Sequence, residues 1–153
     1  MGLTRAPHPG MILGVFALLS LADRALRLIP GATGEGEPGG GLSLAEAGVN
    51  GLVFSIVSAC IVAPIAEEIL YRGILFRALA NWMRVGAATL ISAGVFAVRH
   101  YYNAYGLVSV GVFGAARAFC YAASGRLGTA ILLHMLYNFV IKVPEWIVYH
   151  APL

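Results

Sequence analysis

Two glutamates, two histidines and an asparagine interrupt stretches of sequence that are otherwise apolar. Glu67 and Glu68 occur in APIAEEILYRG, His100 closes FAVRH, and His134 and Asn138 lie in LGTAILLHMLYNF. An ionisable group inside a bilayer is costly, so it is there for a partner or for a task. Adjacent side chains on an α-helix point about 100° apart, so the two glutamates are not expected to face one partner. Glu68 and Arg72 stand four residues apart with the acid first, the favourable order for a helical ion pair. A structural pair is the expected role of Glu68 and Arg72. Glu67 has Leu70 and Tyr71 where a basic partner would stand. It needs a partner from another helix, and a functional role is the better reading for it. His100, one turn after Phe96, reads by itself as a cap or interfacial residue. His134 and Asn138 project from one face of one helix, where bonding to another helix and chemistry are equally good readings. His8 and His150 lie in polar terminal contexts, and Cys60 and Cys120 read as small buried hydrophobes.

The elements that must carry these residues are helices. Met11 to Ile29 reads as a membrane helix with Asp23, Arg24 and Arg27 at its interfacial end. Its apolar core before Asp23 is short enough to resemble a signal sequence. Residues 30–43, PGATGEGEPGGGLS, are too rich in Gly and Pro for regular structure. Val49 to Leu79 is a long apolar segment, expected as one helix kinked at Pro64 and projecting from the bilayer at its Arg77 end. Gly86 to Tyr101, Ala104 to Ala123 and Leu127 to Val148 follow, with turns at 81–84 and around Gly125. The expected architecture is therefore an all-α, polytopic membrane bundle of about five transmembrane helices. Residues 1–47 would form an N-terminal membrane helix and linker, and 48–153 a core. Arg5, Arg77, Arg84 and Arg126 fall on one side if the helices alternate, which is the expected cytoplasmic side. Arg24 and Arg27 oppose that assignment.

The turn at 81–84 is midway between Glu67 and His100, so antiparallel neighbours bring those two level. His134 fits less simply. It lies about 12 Å of helical rise from its own turn, against about 24 Å for Glu67. Their meeting requires helices of unequal depth.

Composition supports the membrane reading. Of 153 residues, 59% are apolar and 11% charged, too few charges to cover a water-facing surface. The net charge is +3, from scattered arginines with no basic run interleaved with aromatics, so no nucleic-acid partner is expected. Membrane lipid is the expected surrounding.

Taken in order, Glu67-Glu68-Ile-Leu-Tyr-Arg72, Phe96-Ala-Val-Arg-His100 and His134-Met-Leu-Tyr-Asn138 resemble the EExxxR, FxxxH and HxxxN motifs of the CAAX-protease and bacteriocin-processing (CPBP, or Abi) family of intramembrane peptidases. The resemblance covers about residues 48–142. It implies an integral membrane peptidase acting on a membrane-associated protein or peptide. It also implies that Glu67, His100 and His134 form the catalytic set, assisted by Asn138. Two chemistries fit those residue types. A desolvated glutamate can serve as general base for water, with His100 orienting the water and His134 and Asn138 donating to the oxyanion. Alternatively, Glu67, His100 and His134 ligate Zn²⁺, which activates the water instead. The first needs no cofactor. The composition suggests a bacterial plasma membrane, where processing of C-terminal sorting signals is a closer expectation than CAAX processing. Two further classes remain open: a non-catalytic bacteriocin-immunity or binding protein of the same fold, and a small ion- or proton-coupled transport subunit.

Overall fold

Backbone groups surrounded by lipid can bond only to one another, so apolar runs of this length fold as helices. The computed structural model describes residues 9–27, 48–100 and 104–150. Among the described residues there are five helices and no strand. We label them α1 (Pro9–Arg27), α2 (Gly48–Ala80), α3 (Val85–Val98), α4 (Ala104–Ser124) and α5 (Leu127–His150). The all-α membrane bundle expected from the sequence is thus the observed class. Two of the five, α2 and α4, are long and apolar enough to span a bilayer unaided. Helix α3, at 14 residues, rises only about 21 Å. The Gly-rich linker at 30–43 and His8 lie outside the described residues, as does the expected end of α3 at Tyr101. For His150 only the backbone is described.

Helix α2 departs from a simple kinked α-helix. It runs without a break but changes winding four times. Gly48–Ser55, Ala63–Glu68 and Arg77–Ala80 are α-helical, whereas Ile56–Val62 and Ile69–Phe76 are wound as π-helix. Such wide turns are rare, and they concentrate at functional sites. Here the two wide turns bracket the short α-helical segment that carries Glu67 and Glu68.

Helices α3 and α4 pack closely because small residues line their contact. A Cβ on Gly114 would meet Phe96 Cδ1 at 3.3 Å and Ala93 Cα at 3.4 Å, and one on Gly111 would meet Ala97 Cβ at 3.7 Å. In lipid, helix association depends on such close approach rather than on the hydrophobic effect. Phe76, Ala88, Ala118, Tyr121, Leu127 and Ala130 form one apolar cluster joining α2 to α5. In a second, Ile12 and Leu19 of α1 pack with Phe113, Cys120 and Leu133, so α1 lies on α4 and α5.

The first cluster explains how residues of unequal depth meet. Leu127, the first residue of α5, shares this cluster with Phe76 and reaches back along α2 as far as Gly73. Its Cδ2 lies 3.7 Å from where a Cβ on Gly73 would stand. Helix α5 therefore begins about two turns before the end of α2. From that shared level, Glu68 and His134 are about equally far along their own helices.

Candidate functional site

The site is built around Glu68, which is wholly buried. Its Oε1 accepts from Arg117 Nη1 at 2.7 Å, from His134 Nδ1 at 2.9 Å and from Arg72 Nη1 at 3.2 Å. Its Oε2 faces Arg72 Nε at 3.1 Å. That N–H is not aimed well enough to hydrogen bond, so the second contact is an ion pair only. The expected Glu68–Arg72 pair is therefore present, but it is one part of a larger group that spans three helices. Arg72 makes its shortest bond elsewhere, from Nη2 to the Gly114 carbonyl at 2.6 Å. The close approach of α3 and α4 at Gly114 helps to place that carbonyl.

Arg117 received no weight in the motif reading. It is as deeply buried as Glu68. Its guanidinium carbon lies 4.4 Å from the centre of the Phe96 ring and 4.5 Å from that of Phe113, held by cation–π attraction. Its Nε donates to the Phe113 carbonyl at 3.3 Å. The sequence did carry a signal for it: a single arginine inside the 21-residue apolar helix α4 needs a partner as much as any buried glutamate does.

Glu67 sits beside this cluster, and its side chain is 30% exposed where that of Glu68 is 0%. Its Oε2 stands 3.8 Å from His134 Nε2. The two glutamates thus address the same imidazole, contrary to the expectation that they could not share a partner. The 100° between them is real, but the two nitrogens of an imidazole also diverge, and one carboxylate meets each. Glu68 accepts the Nδ1–H of His134, so in the neutral ring Nε2 is the unprotonated nitrogen. His134 therefore offers Glu67 an acceptor, not a donor.

His100 is half-buried. Its Nδ1 donates to the Phe96 carbonyl at 2.8 Å, and its ring lies 4.4 Å from the Phe96 ring, centre to centre. It lies within electrostatic range of Glu67. Phe96 also meets His134 edge-on at 6.0 Å, so one aromatic ring stands against both histidines.

Asn138 is drawn elsewhere. Its Nδ2 donates to the Ala59 carbonyl at 2.7 Å. In the i to i+5 pattern of Ile56–Val62, the partner of that carbonyl would be the N–H of residue 64, which is proline. Asn138 satisfies an acceptor that Pro64 leaves open, and one of its two amide hydrogens is committed to it. Among the described residues, no three His, Cys, Asp or Glu side chains stand close enough to hold one metal ion.

Fold and site together define an all-α membrane protein with a buried carboxylate–guanidinium cluster behind a more exposed glutamate and two histidines. The family model described as type II CAAX prenyl endopeptidase Rce1-like matches residues 49–140, more than half of the chain. The chain belongs to this family. It is also 33% identical over 97 residues to YdiL of Bacillus subtilis (strain 168), a protein named as a candidate membrane peptidase. That match covers 63% of this chain and 39% of YdiL, so the aligned part is under half of that relative's length. No solved structure matches the chain.

Proposed function

We propose that this protein is an intramembrane endopeptidase that hydrolyses a peptide bond of a membrane-associated protein or peptide, with Glu67 as general base. The observation that carries the reading is the pair Glu67 Oε2 and His134 Nε2, two acceptors 3.8 Å apart at the accessible edge of a buried charged cluster. That spacing suits one water donating to both. As the water oxygen bonds to the scissile carbonyl carbon, its proton passes to Glu67 and the carbonyl electron pair moves to oxygen. Collapse of the tetrahedral intermediate breaks the C–N bond, and the proton on Glu67 goes to the leaving amine. His100 orients the Glu67 carboxylate and the water. The amide hydrogen that Asn138 does not give to Ala59 is a candidate donor to the oxyanion. In the zinc alternative, Glu67, His100 and His134 would hold the metal, which would activate the water in place of Glu67. The expected setting is a bacterial plasma membrane, and the expected substrates carry a CAAX or sorting signal at their C-terminus.

The test is cleavage of such substrates, prenylated CAAX peptides and C-terminal sorting-signal peptides, in liposomes containing the full chain. Glu67→Gln should lower kcat by about a hundred- to ten-thousand-fold, the usual worth of a general base. Cleavage that persists at the wild-type rate in Glu67→Gln, His100→Ala and His134→Ala would remove the assignment. No cleavage by wild type, with bacteriocin protection retained in all three variants, would favour the non-catalytic reading. Activity that survives strong chelation in metal-free protein would exclude zinc.

A further inference from the structure

We propose that Arg117 is a positioning residue: from α4 it fixes the Glu68 oxygen that accepts the Nδ1–H of His134, and so keeps the Nε2 lone pair of His134 turned towards Glu67. The catalytic consequence rests on the peptidase reading above, whereas the effect on His134 does not.

Arg72 alone is poorly placed for this task. It stands on the same helix as Glu68, its Nη1 bond to Oε1 is long at 3.2 Å, its Nε is misaligned on Oε2, and its best hydrogen bond goes to Gly114. Arg117 approaches from another helix and makes the shortest contact that Glu68 has, at 2.7 Å. It does so on Oε1, the same oxygen that His134 Nδ1 uses. Arg117 is itself immobilised between Phe96 and Phe113. Those two rings also stand edge-on to His134, with centres 6.0 and 6.1 Å away. Guanidinium and imidazole therefore share two aromatic walls and one carboxylate oxygen, which sets their mutual geometry. Being wholly buried, Arg117 meets no substrate and acts only through Glu68. A carboxylate that orients an imidazole from behind is a recurrent device, and behind metal-ligating histidines losing such support typically costs 10–100-fold in activity.

Charge balance points the same way. Arg72 and Arg117 carry two positive charges against the one of Glu68, and Glu67 as a carboxylate makes the group neutral. Without Arg117, the imidazole would lie between two carboxylates with one guanidinium to offset them. Glu68, having lost its shortest interhelical donor, could turn away from Nδ1, and a proton on Nε2 would find Glu67, so the preference for Nδ1–H would be lost.

The experiment reads the imidazole directly. Full-length protein labelled with ¹⁵N-histidine is placed in lipid nanodiscs, and His134 signals are assigned by their loss in His134→Gln. Wild type should show an unprotonated Nε2 and a protonated Nδ1. Arg117→Lys should keep that pattern, whereas Arg117→Gln and Arg117→Leu should redistribute the proton between the two nitrogens. If the leucine variant does not fold, the glutamine variant, of similar length and able to donate one hydrogen bond, decides. On any substrate that wild type cleaves, Arg117→Gln should lower kcat roughly 10–100-fold with KM unchanged. A wild-type ¹⁵N pattern in Arg117→Gln or Arg117→Leu would overturn the proposal, whatever the enzyme does. Wild type that cleaves nothing would instead count against the peptidase reading and leave the ¹⁵N test standing.

Discussion

The two adjacent glutamates differ in what surrounds them, and that difference separates two kinds of mutational effect. Glu68 is the anion shared by two buried guanidinium groups and one imidazole. Its replacement by Gln leaves the arginines without a buried carboxylate, and breaking a buried pair in this way costs about 3–5 kcal/mol. Glu67 has a one-third exposed side chain and a long contact to His134. Glu67→Gln should change stability by less than about 1 kcal/mol, as partly exposed sites usually do. Unfolding in mild detergent, followed by circular dichroism over a denaturant series, measures both. A Glu68→Gln variant as stable as Glu67→Gln would mean that the cluster is not what holds α2, α4 and α5 together. At this scale the sequence was readable where partners share a helix. The Glu68–Arg72 pair follows from a spacing of four, and the lack of a local partner for Glu67 follows from the same rule. Arg117 and His134 reach Glu68 from 49 and 66 residues away, and no local periodicity encodes such a meeting.

Helix α2 shows what the wide turns do. A π-turn inserts a residue without ending a helix, so the apolar pattern of residues 49–79 looks the same in either winding. For that reason Pro64 read as a kink rather than as the end of a π-helical stretch. Its structural consequence is the open carbonyl of Ala59, which Asn138 fills from α5. The account is testable by a double-mutant cycle. Asn138→Ala should destabilise by roughly 0.6–1.5 kcal/mol, the range for an interhelical hydrogen bond in a membrane. In a Pro64→Ala background the new N–H can serve the same carbonyl, so Asn138→Ala should cost clearly less there. Equal costs in both backgrounds would show that the Asn138 bond and Pro64 are independent. Stability is the measurement to use, because Asn138 is also a candidate oxyanion donor and activity would mix the two roles. The depth of α5 has a similar explanation. Counting residues from each turn places His134 too shallow, and only the packing of Leu127 beside Gly73 brings it level with Glu68.

For the whole molecule, the decisive property is what its outside is made of. Low charge and high apolar content already pointed to lipid, and the structure shows where the apolar side chains go. Leu90, Val98, Phe119, Ile74 and Phe54 are among the large hydrophobic residues that face outward, while Glu68, Arg72, Arg117 and His134 face inward. That is the inverse of the arrangement water selects, and it puts the polar groups where a site can use them. A single substitution distinguishes a lipid-facing from a water-facing exterior. Leu90, on α3, is 69% exposed and has no packing role to lose. In water, Leu90→Asp would be close to neutral. Against lipid it places a charge that costs about 2.5–3.5 kcal/mol near the centre of a membrane helix. We expect Leu90→Asp to reduce the membrane-inserted fraction in a glycosylation-mapping assay, and Leu90→Ala to leave it almost unchanged. Because α3 is too short to span a full bilayer unaided, it depends on α2 and α4 to stay in the membrane. The aspartate penalty should therefore be smaller in the intact chain than in α3 fused alone to a reporter. Equal penalties in the two settings would mean that α3 meets lipid without help from its neighbours, and that its contact with Gly111 and Gly114 forms only after insertion.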